Sequence, residues 1–155
     1  MMVKKYMFLI YLCSAIIMLC FSLSSEKQFI TNASVVFGFD DFIQILLKNT
    51  VAGIWLLSAY LLGDMIIYIF FITNGIVLGA LLSSFPNMFY LLLVIPHGVI
   101  EIFSYIYLSD TIINHRKGCY DKQDFIKRLK ISFLLLILGA GIESFITPLM
   151  INFIE

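Results

Sequence analysis

The chain has 155 residues, of which 61% are hydrophobic and only 13% charged. Soluble domains carry roughly 25% charged residues, and so few charges cannot cover the surface of a water-soluble protein of this size, so the bilayer is the solvent that fits. Ten basic and ten acidic residues cancel, which leaves no basic surface for nucleic acid. Lipid supplies no hydrogen-bond partner for a bare backbone, so each span must be a helix of about 20 apolar residues. The expected fold is all-α, a polytopic transmembrane helical bundle of about five spans forming a single integral membrane domain over residues 1–155.

The first span, residues 6–23, follows Lys4 and Lys5. A basic start before an apolar run is also the pattern of a signal peptide. No A-x-A-like cleavage site follows, and the segment reads as a retained helix. Residues 24–44 are more polar, with Gly38, Asp40 and Asp41, and read as an exposed loop with a short interfacial helix near Asp40 to Leu47. Residues 45–84 then stay apolar for about twice the length one span needs. Gly63-Asp64 is the turn within them, giving a helical hairpin of spans 45–62 and 65–84. Pro86 breaks the chain before a fourth span, 88–108. A charged loop over 109–130 leads to the fifth, 131–151.

Lysine and arginine set the orientation, because short loops rich in them stay in the cytoplasm. Lys4 and Lys5 precede the first span, and Arg116, Lys117, Lys122, Lys127, Arg128 and Lys130 lie between the fourth and fifth. Four spans separate the two groups, so both fall on one side, with Lys27 and Lys48 on the other. This orients the protein in its membrane with its N-terminus cytoplasmic and its C-terminus outside. Cys13, Cys20 and Cys119 form no C-x-x-C pair or disulfide framework and read as small apolar residues.

Polar groups within the spans are the informative residues, because a charge at the bilayer centre costs about 2.5–3.5 kcal/mol on insertion scales. In "IPHGVIE", His97 and Glu101 are four apart and share a helical face, with Tyr90 and Ser104 near the same stripe. Pro96 removes a backbone donor from the Leu92 carbonyl, and Gly98 leaves room for a neighbouring helix or a bound group. In "LGAGIESFITP", Glu143 follows Gly139, Ala140 and Gly141. The last two spans run antiparallel, so helical rise brings Glu143 to the depth of His97, with Glu101 nearer the cytoplasm. Asn74 lies near mid-span, beside Gly75, Gly79 and Ser83. That small-residue line reads as a packing face, and Asn74 as a hydrogen-bond donor to another span. Asn49 and Gly53 share a face of the second span, and Trp55 reads as a packing residue. The first span reads as an anchor or packing surface.

Two chemistries are open to His97, Glu101 and Glu143. They could form a catalytic acid/base set, or three ligands of a divalent metal such as zinc with a water in the fourth position. The bland reading is a hydrogen-bonded polar core, with Asn49, Asn74, Gly75, Gly79, Pro96 and Gly98, that orders the bundle. No H-E-x-x-H and no G-x-S-x-G accompanies the three, and His115 falls in the charged loop. The balance therefore leans away from an enzyme.

The runs "NGIVLGA", "IPHGVIEI" and "GIESFITP" resemble the stage II sporulation protein M family of bacterial membrane proteins. P-H-G-x-x-E is the most specific mark. An Asn-Gly with a glycine four residues on, an upstream "LLKNT" and a late I-E-x-F-x-T-P accompany it in the same order, over about residues 42–150. The resemblance implies a membrane subunit working with partner proteins. Those partners act either in peptidoglycan remodelling during sporulation or, as for short relatives, in the maturation, secretion or immunity of circular bacteriocins. The partners expected are the bilayer, membrane proteins of the same gene cluster and a hydrophobic peptide substrate. The alternatives are an intramembrane enzyme that cleaves or cyclises peptides, and a small transporter, since ionisable residues inside membranes often line transport paths.

Overall fold

The computed structural model describes residues 2–23, 39–84 and 91–151. The chain is all-α, as expected, and the described residues form five long helices. Helix α1 spans Met2–Leu23, α2 Phe39–Leu57 with a one-turn continuation α3 at Ala59–Leu62, α4 Met65–Ser83, and α5 Leu91–Arg116. Helix α6 spans Lys122–Gly141 and runs on through a π-helical turn, Ile142–Ile146, into α7 at Thr147–Ile151. The anticipated stretches around Pro86 and Tyr90, and residues 24–38 of the anticipated first loop, lie outside the described residues.

The boundaries differ from expectation at three places. Asp40 and Asp41 open α2 itself rather than a separate interfacial helix, because acidic residues suit the positive end of a helix dipole. Ser58 interrupts α2 from α3, its hydroxyl donating to the Trp55 carbonyl at 2.6 Å. The charged stretch 109–130 is mostly helical. α5 continues to Arg116, and Asp121 caps α6 by accepting the Asp124 amide at 2.7 Å, so the connection shrinks to residues 117–121. Gly118, at φ 73°, turns the chain there, and Gly63, at φ 96°, turns the hairpin where anticipated.

The most extensive packing joins α1 to α4, and its geometry explains the glycine line. A Cβ on Gly75 would strike the Ser14 hydroxyl and the Tyr11 carbonyl. One on Gly79 would stand 2.8 Å from Met18 Cβ and closer still to the Ala15 carbonyl oxygen. Above them the Ser22 and Ser83 hydroxyls meet at 2.7 Å. The order 75, 79, 83 against 14, 15–18, 22 makes the two helices parallel, with their backbones nearly touching. Helix α5 instead runs antiparallel to α6. Ser104 and Ser132 clasp them by donating to each other's carbonyls at 2.8 and 3.0 Å.

The surface is inverted relative to a soluble protein. Leu61 is 87% exposed and Met65 72%, while Ser104, Ser109, Thr111 and Asp110 are buried. Such exposure is favourable only if the outer face meets hydrocarbon. Among the described residues, four segments are long and apolar enough to cross a membrane: Lys4–Ser22, Phe39–Leu62, Met65–Ser83 and Lys122–Leu149. Helix α5 is also long, at 26 residues, but Pro96, His97, Glu101 and Asp110 make it less apolar. Its position accounts for this, since it touches α1, α2, α3, α6, the π turn and α7 and buries Ser104, Ser109, Asp110 and Thr111 among them, while Ile95, Val99 and Phe103 stay exposed.

Charged residues gather at one end of the bundle. Lys4 pairs with buried Asp110 at 3.2 Å, and Arg116 pairs with Asp64 at 2.5 Å. Arg128 stacks 4.1 Å over the Tyr120 ring. The start of α1, the α3–α4 turn and the α5–α6 turn therefore share that end. The three cysteines do not act as buried residues: Cys13, Cys20 and Cys119 are all exposed, the first two on α1.

Candidate functional site

A cavity of about 270 Å³ opens in the half of the bundle away from the charged end. It is lined by Asn49 of α2, Asn74 of α4, His97, Gly98 and Glu101 of α5, and Glu143 of the π turn. The polar residues singled out in four different segments thus converge on one space.

Within it, the Asn49 amide donates to Glu101 Oε1, and the Tyr105 hydroxyl donates to the Asn49 carbonyl at 3.2 Å. Two contacts therefore tie α2 to α5, one of them to a potentially charged acceptor, the stronger class of hydrogen bond. Gly139 lets α6 close on the same region. Its missing Cβ would sit 3.1 Å from Glu101 Cγ and 3.8 Å from the His97 carbonyl. Glu143 lines the same cavity as Glu101.

The π turn sets the direction of Glu143 and of the residues beyond it. Pro148 has no N–H to offer the Ser144 carbonyl. The Ser144 hydroxyl turns back to the Ala140 carbonyl at 2.7 Å. The Thr147 amide instead reaches the Ile142 carbonyl, five residues back. One extra residue in the turn rotates everything beyond it by about 100° relative to a straight helix. The Thr147 hydroxyl is thereby brought 3.4 Å from His97 Nδ1.

Several expectations change. Asn74 donates to the Phe70 carbonyl of its own helix, at 2.8 Å, rather than to another span. Among the described residues, no three His, Cys, Asp or Glu side chains stand at metal-ligand spacing. His97, Glu101 and Glu143 face one cavity but do not close around one point, because Asn49 engages the Glu101 carboxylate and Thr147 meets His97. Among the described residues only the Val94 side chain of its own helix comes near the Cβ position of Gly98, at 3.8 Å, so none of the other described helices packs against it there. Tyr11, Tyr105 and Lys48 line the cavity without having been anticipated. Tyr105 was legible, being four residues beyond Glu101 on the same face. Tyr11 was not, because nothing in α1 announces that it packs beside α4.

Long apolar outer faces around a polar interior define a helical membrane protein. The sequence pattern of the family described as Stage II sporulation protein M matches residues 7–148, and the chain belongs to that family. The match includes every cavity residue from Tyr11 to Glu143. No curated protein and no solved structure matches the chain.

Proposed function

We propose that the protein is a multi-pass integral protein of the bacterial cell membrane that serves as a non-catalytic subunit, docking partner proteins encoded beside it. The observation that carries this reading is the use made of the P-H-G-x-x-E residues. Glu101 is engaged by Asn49 and His97 meets Thr147, so both act as cross-links between helices rather than as free reactive groups. Membership of the stage II sporulation protein M family supports a membrane protein of that kind; the setting we propose for it is beside peptidoglycan-remodelling proteins in sporulation or beside the proteins that mature, export or confer immunity to a circular bacteriocin.

Affinity purification of the full chain from its native membrane, after cross-linking in cells, is the test. Specific recovery of neighbouring-gene membrane proteins is expected. Liposomes containing this protein alone that carried out the whole process would refute the subunit role. Loss of engulfment or loss of bacteriocin production on gene deletion separates the two settings.

The topology has its own readout. With the lysine-rich end cytoplasmic, exposed Cys119 in the α5–α6 turn is expected to react with a membrane-impermeant maleimide only after cells are permeabilised. Labelling of Cys119 in intact cells would invert the proposed orientation.

A further inference from the structure

Beside the polar cavity lies a second, apolar one of about 220 Å³ between α1, α4 and α5, lined by residues such as Phe8, Leu12, Leu82 and Val99. The two share Tyr11, Leu78, Val94, Gly98 and Ile102 in their walls. Together they form one amphipathic space, polar on one side of Gly98 and aliphatic on the other. Gly98 belongs to both walls, and among the described residues an added Cβ there would meet only the Val94 side chain, at 3.8 Å.

The polar part has two electrical poles. Glu101 and Glu143 supply carboxylates, and Lys48, exposed at the rim, supplies a cation. Among the described residues, neither Lys48 nor Glu143 has an ion-pair partner within 4.0 Å. A lysine at the level of apolar helix surface is unfavourable without an anion, and an unpaired carboxylate beside a second one is unfavourable without a cation. A ligand with an ammonium group and an anionic group a few ångströms apart satisfies both. The volume is below the roughly 300–1,000 Å³ of drug-sized sites, so the polar group is small.

The apolar part decides between a lipid and a peptide. A peptide segment would bring backbone N–H and C=O groups that need partners. The groove's wall is almost wholly aliphatic and aromatic, with the Tyr11 hydroxyl as its polar group. An acyl chain brings none. Along α5 the groove runs from Val94 to Ile102, about 12 Å of helical rise, enough for part of one chain. We propose that this composite cavity binds an aminophospholipid, with its ammonium at Glu101 and Glu143, its phosphate at Lys48 and an acyl chain in the groove beside Gly98.

The test uses the full-length protein in vesicles of equal parts phosphatidylethanolamine, phosphatidylcholine and phosphatidylglycerol, extracted and weighed by native mass spectrometry. Phosphatidylethanolamine should be retained about tenfold over both others, the ratio expected from one charge-assisted contact. The choline head group cannot donate a hydrogen bond, and glycerol carries no ammonium. Glu143→Gln should abolish the preference, whereas Lys48→Met, which removes the partner of the phosphate common to all three lipids, should lower retention of all three and leave their ratio unchanged, and Gly98→Leu should reduce total lipid carried. Lys48 is exposed, so its variant keeps the fold and decides the matter if Glu143→Gln fails to fold. Equal retention of the three lipids, or total retention undiminished in Lys48→Met, overturns the proposal. Displacement of phosphatidylethanolamine by an equimolar hydrophobic peptide with a free amino terminus overturns it in favour of a peptide ligand.

Discussion

Gly79→Ala should destabilise the bundle by about 1–3 kcal/mol, the range for overpacking a tight interface, and Gly79→Leu should prevent α1 from docking on α4. The added Cβ would lie against the Ala15 carbonyl oxygen and 2.8 Å from Met18 Cβ. The nearer obstacle is backbone, which cannot rotate aside as the end of a side chain could. The gain in helix propensity, about 1 kcal/mol for Gly to Ala, is smaller than this clash and does not offset it. Gly141 provides the control. Among the described residues nothing lies within 4 Å of its Cβ position, so Gly141→Ala should be neutral or stabilising by up to about 1 kcal/mol. Thermal unfolding in one detergent, with helicity followed by circular dichroism, checks the pair. A Gly79→Ala protein as stable as wild type would mean that α1 and α4 do not approach as described.

The second large effect concerns Glu101, and here the choice of substitution separates structure from chemistry. Glu101→Gln keeps an oxygen that can accept the Asn49 amide, so stability and partner capture should stay near wild type. Glu101→Ala leaves the Asn49 amide without its acceptor inside a poorly hydrated bundle, and should destabilise by about 1–3 kcal/mol. A double-mutant cycle with Asn49→Ala should yield a coupling of about 0.5–3 kcal/mol, as for residues in one hydrogen-bond network. An enzyme using the Glu101 carboxylate would behave oppositely, with Glu101→Gln folded, stable and inactive. Comparing unfolding midpoints with how well the same variants restore the phenotype of a gene deletion decides between the two.

Much of the architecture was legible because lipid imposes a narrow rule. Apolar runs had to be helices, Gly63-Asp64 had to turn, and spacing alone put His97 above Glu101 on one face. The small-residue line 75, 79, 83 announced a tight interface, though not that α1 would fill it. Helix ends were less legible for a definite reason. Charges do not set helix ends, whereas caps and positive-φ residues do: Gly118 turns the chain after α5 and Asp121 starts α6. The exposed Cys13 and Cys20 likewise show that composition cannot tell lipid from core, since both are apolar.

The sequence by itself determined the class of protein, its helical order, its family and the polar residues worth attention. Helical periodicity and hydropathy act within a segment, so one chain read in order reveals them. Only the tertiary structure decided the partners of those residues: Glu101 with Asn49, Asn74 with its own helix, His97 with Thr147, and Tyr11 and Lys48 at the same cavity. Most of these are contacts between segments far apart in the chain. They depend on which helices pack and at what rotation, and the π turn before Pro148 alone turns Thr147 by about 100°. Gly79 and Gly98 make the same point. Alike in sequence, one is pressed against a carbonyl of the neighbouring helix, while among the described residues an added Cβ on the other would meet only the Val94 side chain of its own helix.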